Sequence, residues 1–412
     1  MKSKIHFLSI AGLSLLAAAF VFSSCSETDS EAVPDVPGKE SFSYTTDGGK
    51  GGSEGPGTPN GNTQAGIVTA GEWCDLTHWS FWSQLMLGEQ FSDKSDYWEF
   101  YTNTRIAVKV TDGKGSALAG VKVKLLSDGK DGDTLWETVT DNHGLADCWV
   151  GMFQKTNSAN ADHLRISLND EVMDGHPVVC PWDSLLQTVP VNEYVCKKPK
   201  KLTQQADIAF IVDATGSMHD EIEFLKNDLV DIINKVQSIR SDMKMRTAAL
   251  FYRDNGDEYL TRHHNFTDNV KKTANFVAEQ RADGGGDYPE AVHTALERML
   301  QDLSWDIDAR CRMAFLLLDA PAHHQDDVIH SLQESVENCA KYGIKLIPVA
   351  ASGADKNTEC MLRFFSMATG GTYVFLTDDS GVGYSHMPAS VGDYEVEQLN
   401  ELLIRLISYY TE

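Results

Sequence analysis

The stretch IAFIVDATGSMHDE, Ile208 to Glu221, places Asp213, Thr215 and Ser217 at alternate positions directly after an apolar run. One carboxylate and two hydroxyls so spaced offer hard oxygen donors. A tight turn at a helix start lets such side chains converge on Mg²⁺, Ca²⁺ or Mn²⁺. The same residue types also cap helices by accepting from free backbone N–H groups, so the pentad alone is open to both readings. Other chemistries lack their patterns. Ser217 and His219 do not form G-x-S-x-G, and residues two apart at a helix start do not face one another. The glycines before Asp287 make neither G-x-G-x-x-G nor a P-loop. His263 with His264, and His323 with His324, have no H-E-x-x-H beside them and read as surface or loop residues. Arg253 and Asp254 read as a salt-bridged loop. No catalytic residue is assigned, and the chain is read as a non-enzyme.

These residues need a scaffold, and from about Lys201 the sequence supplies one. Apolar strands are predicted at Asp207–Val212, Lys244–Tyr252, Met313–Leu318, Ile344–Ala350 and Thr372–Leu376. Helical stripes lie between and after them: Ile222 to Val236, Ala291 to Leu303, and Val396 to Tyr410. Strands alternating with helices predict an α/β fold, a doubly wound, mostly parallel sheet covered on both faces. Ligands of such sheets bind beyond the carboxyl ends of the strands, where Asp213 falls at a surface crevice. Pro348 within IKLIPVA fits a central strand poorly.

The stretch DATGS after an apolar strand resembles the D-x-S-x-S motif of the metal-ion-dependent adhesion site of the von Willebrand factor A (vWA) family, with Thr215 for the first serine. The resemblance runs from Lys201 to the C-terminus, through TGGTYVFLTDDSGVG and the final helix. It implies a vWA fold related to the Rossmann type, a bound Mg²⁺ (or Ca²⁺ or Mn²⁺), and Asp319, ending MAFLLLD, as the third-motif ligand. Where many members carry a threonine, this chain has Asp287 in ADGGGDYPEA. Asp287 has two readings. It is a metal ligand brought close by flexible glycines, or it is the cap of a box formed with Glu290. Three carboxylates would hold the cation firmly and leave it a weaker acceptor for a ligand's own carboxylate.

The formal charge of -25 would repel phosphate backbones over most of the surface, so nucleic acid is not an expected partner. At the N-terminus, Lys2 and Lys4 precede an apolar stretch closed by VFSSC. This resembles a lipoprotein signal over residues 1–25 with Cys25 lipidated, and the acidic SETDSE after it resembles the surface-export signals of Bacteroidetes-type lipoproteins. Residues 26–65 read as a Gly, Ser and Pro tether, and residues 66–100 as a Trp-rich lead-in. Trp73, Trp79 and Trp82 could stack on glycan, but core packing is the reading preferred. Residues 101–200 show short alternating strands, a small antiparallel β-sandwich resembling carboxypeptidase-regulatory-like or bacterial Ig-like modules. Residues 201–412 are the vWA domain. Seven cysteines besides Cys25 leave at least one free thiol or an intermolecular bond. The expectation is an outer-membrane, cell-surface lipoprotein, or one facing the periplasm, that binds a protein, matrix or glycan ligand through its metal. The alternatives are an envelope assembly subunit with a structural metal, and a metal-dependent hydrolase.

Overall fold

The computed structural model describes residues 68–128, 132–155, 160–380 and 387–412. Cys25, the signal and the whole tether lie outside them. In chain order the first elements are β1 (Thr69–Trp73), α1 (Trp79–Leu85), α2 (Lys94–Trp98), β2 (Arg105–Thr111), β3 (Lys122–Ser127), β4 (Thr134–Val139), β5 (Leu145–Trp149), β6 (Leu164–Leu168), β7 (Glu171–Val172) and β8 (Val191–Val195). There follow β9 (Thr203–Asp213), α3 (His219–Ile239), β10 (Lys244–Tyr252), β11 (Thr261–Thr267), α4 (Val270–Ala278) and α5 (Val292–Asp302). The last are β12 (Ala309–Leu318), α6 (Asp326–Tyr342), β13 (Ile344–Ala350), α7 (Lys356–Thr369), β14 (Tyr373–Thr377), β15 (Glu397–Gln398) and α8 (Leu399–Thr411).

One eight-stranded sheet runs β11-β10-β9-β12-β13-β14-β1-β15. Its five inner strands from β10 to β14 are parallel, as the strand and helix alternation predicts. The apolar run of β9 divides between two cores. Ala209 and Ile211 pack on the side of α5, α6 and α7, and Ile208, Phe210 and Val212 on the side of α3 and α8. A strand buried on both faces therefore reads as unbroken hydrophobicity, and its chemistry is confined to its end. Pro348 is accommodated because β13 pairs with β14 only at Val349 and Ala350. Few ladder bonds on that side depend on the missing N–H.

The sheet is not built from residues 201–412 alone. β1, from the Trp-rich segment, lies antiparallel to β14, with Thr69 opposite Thr377 and Trp73 opposite Tyr373. Trp73, Trp79 and Trp82 are only 6%, 1% and 0% exposed, so no ring face is free to stack on glycan. The indole N–H of Trp82 donates to Thr102 Oγ1 (2.9 Å), and that of Trp79 to the Pro181 carbonyl (3.0 Å). The same segment supplies Asp75, which receives two bonds from fully buried Arg363 (2.9 and 2.5 Å) while Glu359 takes a third (3.0 Å).

Residues 101–200 contribute two small sheets. One, β4-β3-β6-β7, is antiparallel; in the other, β5-β2-β8, strands β2 and β8 run parallel, a departure from the all-antiparallel expectation. Their apolar residues share a core with α6 and α7. The turn after β4 docks at the amino ends of the large sheet's strands. Asp141 pairs with Lys345 (3.4 Å) and Asn142 donates to the Tyr409 carbonyl (2.9 Å). Among the described residues no helix is long and apolar enough to cross a membrane, and the seven cysteines are free thiols.

Candidate metal centre

Asp213 ends β9 and is 0% exposed, deeper than the surface crevice expected for it. Its Oδ1 accepts from the Thr215 amide (2.8 Å) and the Thr215 hydroxyl (2.7 Å). With its proton aimed at Asp213, Thr215 keeps its lone pairs for another partner. The chain then turns through a short 3-10 segment, Gly216–Met218, into α3. Ser217 is exposed on this turn, and its hydroxyl lowers the pKa of Asp319 against the upward pull of burial. Asp319 follows the last residue of β12, so the neighbouring parallel strands β9 and β12 deliver the two aspartates to the same edge.

Asp287 is exposed and does not join them. The capping box fails as well, because α5 starts at Val292 with Ala291 at its cap position. The stretch before α5 is extended, with Glu290 bridging in parallel to Ala322 and its amide donating to the Pro321 carbonyl (2.9 Å). This turns Glu290, 4% exposed, toward the cluster in place of Asp287. Glycine is required in the same loop. Gly285 has φ +76, and a Cβ there would stand 3.3 Å from Glu290 Oε1 and from Thr215 Cβ. Tyr288 ties the loop to the next one, its hydroxyl donating to the Gly353 carbonyl (3.2 Å) and accepting from the Asp355 amide (3.0 Å).

The cluster is electrostatically strained. Burial, then Asp319, pushes the Asp213 carboxyl up to about 7. Burial followed by Asp213, Asp254, Asp319 and Asp257 pushes Glu290 up to about 9. Glu221, in the first turn of α3 and bonded weakly to Ser352 (3.3 Å), is raised to about 7, mainly by burial. Asp213 Oδ2, Asp319 Oδ1 and Glu290 Oε2 are buried atoms with no hydrogen-bond partner. The Tyr252 hydroxyl is near enough to Asp213 to shift its pKa, yet no hydrogen bond of normal geometry joins them. A buried carboxylate left unpaired is costly unless a proton or a cation neutralises it.

This donor set fits a hard cation. Among the described residues no three His, Cys, Asp or Glu side chains are arranged to hold a metal by themselves. A cation here therefore depends on the hydroxyls of Thr215 and Ser217 beside Asp213 and Asp319, a donor set that suits Mg²⁺ better than zinc. Arg253 and Asp254 both carry ion pairs, as the salt-bridged loop expected there implies, Arg253 facing Glu258 of the same stretch (3.8 Å). Arg253 is buried and donates to the Ala214 carbonyl (3.1 Å), bracing the first motif from behind. Asp254 pairs with half-buried His323 (2.7 Å).

Residues 207–356 match the family model for the von Willebrand factor A domain, so the chain carries a domain of this kind. An ariadne-like RING finger protein of Acanthamoeba polyphaga mimivirus is 32% identical over 127 residues, which span 29% of this chain and 12% of that protein. The alpha-protein kinase vwkA of Dictyostelium discoideum is 24% identical over 211 residues, 51% of this chain and 33% of the kinase. The chain thus spans a third or less of these curated relatives. Among solved structures, BatB of Bacteroides thetaiotaomicron is 11% identical with a TM-score of 0.34, aligning 50% of this chain with 98% of its own.

Proposed function

We propose that the chain is a lipid-anchored envelope protein whose vWA domain binds a protein or matrix ligand through a divalent cation. The observation that carries this reading is the set of buried, unpartnered oxygens on Asp213 and Asp319 at the carboxyl ends of adjacent parallel strands. Asp213, Thr215, Ser217 and Asp319 would hold the ion, and Glu290 would act on it through water. When bound, the ion would supply a Lewis-acidic point for an acidic group of the ligand. The chain's own residues do the rest. Thr215 orients Asp213, Arg253 fixes the Ala214 carbonyl, and exposed Ser217 marks the side from which a ligand can approach. The two small sheets would act as a spacer, and Cys25 as the lipid attachment.

A second reading, a metal that is mainly structural, is favoured by burial, since Asp213 and Thr215 are 0% and 2% exposed. Calorimetric titration with Mg²⁺ and Mn²⁺ tests the site. One ion should bind per chain, and Asp213→Asn and Asp319→Asn should abolish binding. Equal affinity in either variant would rule the site out. Water-proton relaxation of the Mn²⁺-loaded protein then separates the two readings, because only an open coordination position exchanges water with solvent.

A further inference from the structure

At the opposite end of the parallel strands from the metal centre lies a cleft of about 1400 Å³. Its walls are the amino-end residue Lys345 of β13, the C-terminal ends of α3 and α8, the sheet β5-β2-β8, and the chain running out of β1. The volume exceeds the few hundred to about 1000 Å³ usual for small-molecule sites. Exposed large apolar side chains gather here: Leu145, Val191, Ile239, Tyr394 and Tyr409 all line it, each between 39% and 59% exposed. Exposed apolar groups scattered singly are ordinary, but grouped in a concave surface they mark binding.

The charge around this apolar floor is one-sided. Eight Asp and Glu side chains line the cleft against three Lys and Arg. The three bases are already committed, Arg105 to Asp147, Lys345 to Asp141, and Arg405 to Glu72 and Glu397. Exposed Asp393 and Glu395 make no ion pair among the described residues, so the uncompensated charge on the rim is negative. β15 pairs with β1 only at Thr69 and Ala70, so the strand from Gly71 to Trp73 is laddered on its β14 side alone. The chain before β15 packs over that stretch, Tyr394 against Gly71 and Gly392 against Trp73, so a segment lying in the cleft would be held by side chains.

We propose that this cleft binds an extended peptide segment of a partner protein in which basic and apolar residues alternate. Apolar side chains would lie on Val191 and Ile239 while the basic ones reach Asp393 and Glu395. The site is independent of the cation, being at the other end of the sheet.

The test uses the soluble chain without its signal and a fluorescein-labelled peptide of alternating lysine and valine, with a glutamate and valine peptide as control. Fluorescence anisotropy should show the lysine peptide bound, the glutamate peptide unbound, and no change on adding EDTA. Asp393→Lys combined with Glu395→Lys should weaken binding at least about tenfold, at an unchanged melting temperature because both residues are exposed. Val191→Ser with Ile239→Ser should weaken it in the same direction. No binding of the lysine peptide, equal binding of both peptides, indifference to the charge reversal, or loss of binding in EDTA would each overturn the proposal. The metal proposal survives any of these outcomes, since calorimetry with Mg²⁺ reads it separately.

Discussion

Replacing Asp213 by asparagine should stabilise the metal-free protein while removing its response to metal. Asparagine keeps an Oδ1 that can accept from the Thr215 amide and hydroxyl, the bonds Asp213 makes at 2.8 and 2.7 Å. What it removes is a charge that burial and Asp319 oppose, lifting the carboxyl from 3.8 to about 7. An unfolded aspartate titrates near about 3.9. The folded chain therefore holds this proton more tightly than the unfolded chain, and the stability so gained is complete below about pH 4 and lost as pH rises to about 7. At about 1.4 kcal/mol per pH unit, wild type loses on the order of 3 kcal/mol between pH 5 and pH 8 through this group. Glu290 and Asp319 share the same repulsion, so the figure is for the cluster as relieved at Asp213. Urea unfolding in EDTA at both pH values measures it. The variant should gain about 3 kcal/mol on wild type at pH 8 beyond any difference at pH 5, and saturating Mg²⁺ should reverse the ranking by stabilising wild type alone. A difference between the two proteins that does not change with pH would refute the reasoning.

Glu290→Gln should lower Mg²⁺ affinity by about tenfold or more, the loss of one charge beside a dication, whereas Asp287→Ser, on the exposed loop, should leave it within about twofold; calorimetry compares them. Arg363→Met strands the buried carboxylates of Asp75 and Glu359 and should cost about 3–5 kcal/mol in urea unfolding. A fragment beginning at residue 201 lacks both β1 and Asp75; it should be insoluble or melt far below a fragment beginning at residue 66, as read by circular dichroism. Cys25→Ser should shift the protein from the membrane to the soluble fraction on cell fractionation, and continued membrane association would remove the lipid-anchor proposal.

Legibility in the sequence followed the range of the interactions involved. β10 and β13 occupy the predicted residues because a strand buried on both faces writes its own boundaries as apolar runs. Asp213 and Asp319 were readable for the same reason, each being the first polar residue past such a run. β1 was not. Its five residues carry no long pattern, and what makes them a strand is a partner about three hundred residues away in β14. Arg363 was equally silent. A single arginine in a helical stripe looks like a solvated charge until the fold brings Asp75 and Trp82 around it.

The error at DYPE has a more specific cause. Asp287 to Glu290 has the spacing of a capping box, and local rules send both side chains to the backbone of a helix start. Tertiary structure overrides them. Pairing Glu290 with Ala322 holds the chain extended and delays α5 to Val292, which frees the Glu290 carboxylate to face Asp213 and Asp319. A local motif satisfies its polar groups locally and so leaves nothing for a ligand. Here the backbone bond from Glu290 to Pro321 satisfies the main chain from a distance, and the side chain is left buried with Oε2 unpartnered. The residue that departs from its local role is thus the one that reports on the site, because such a departure costs stability unless something absent from the bare chain repays it.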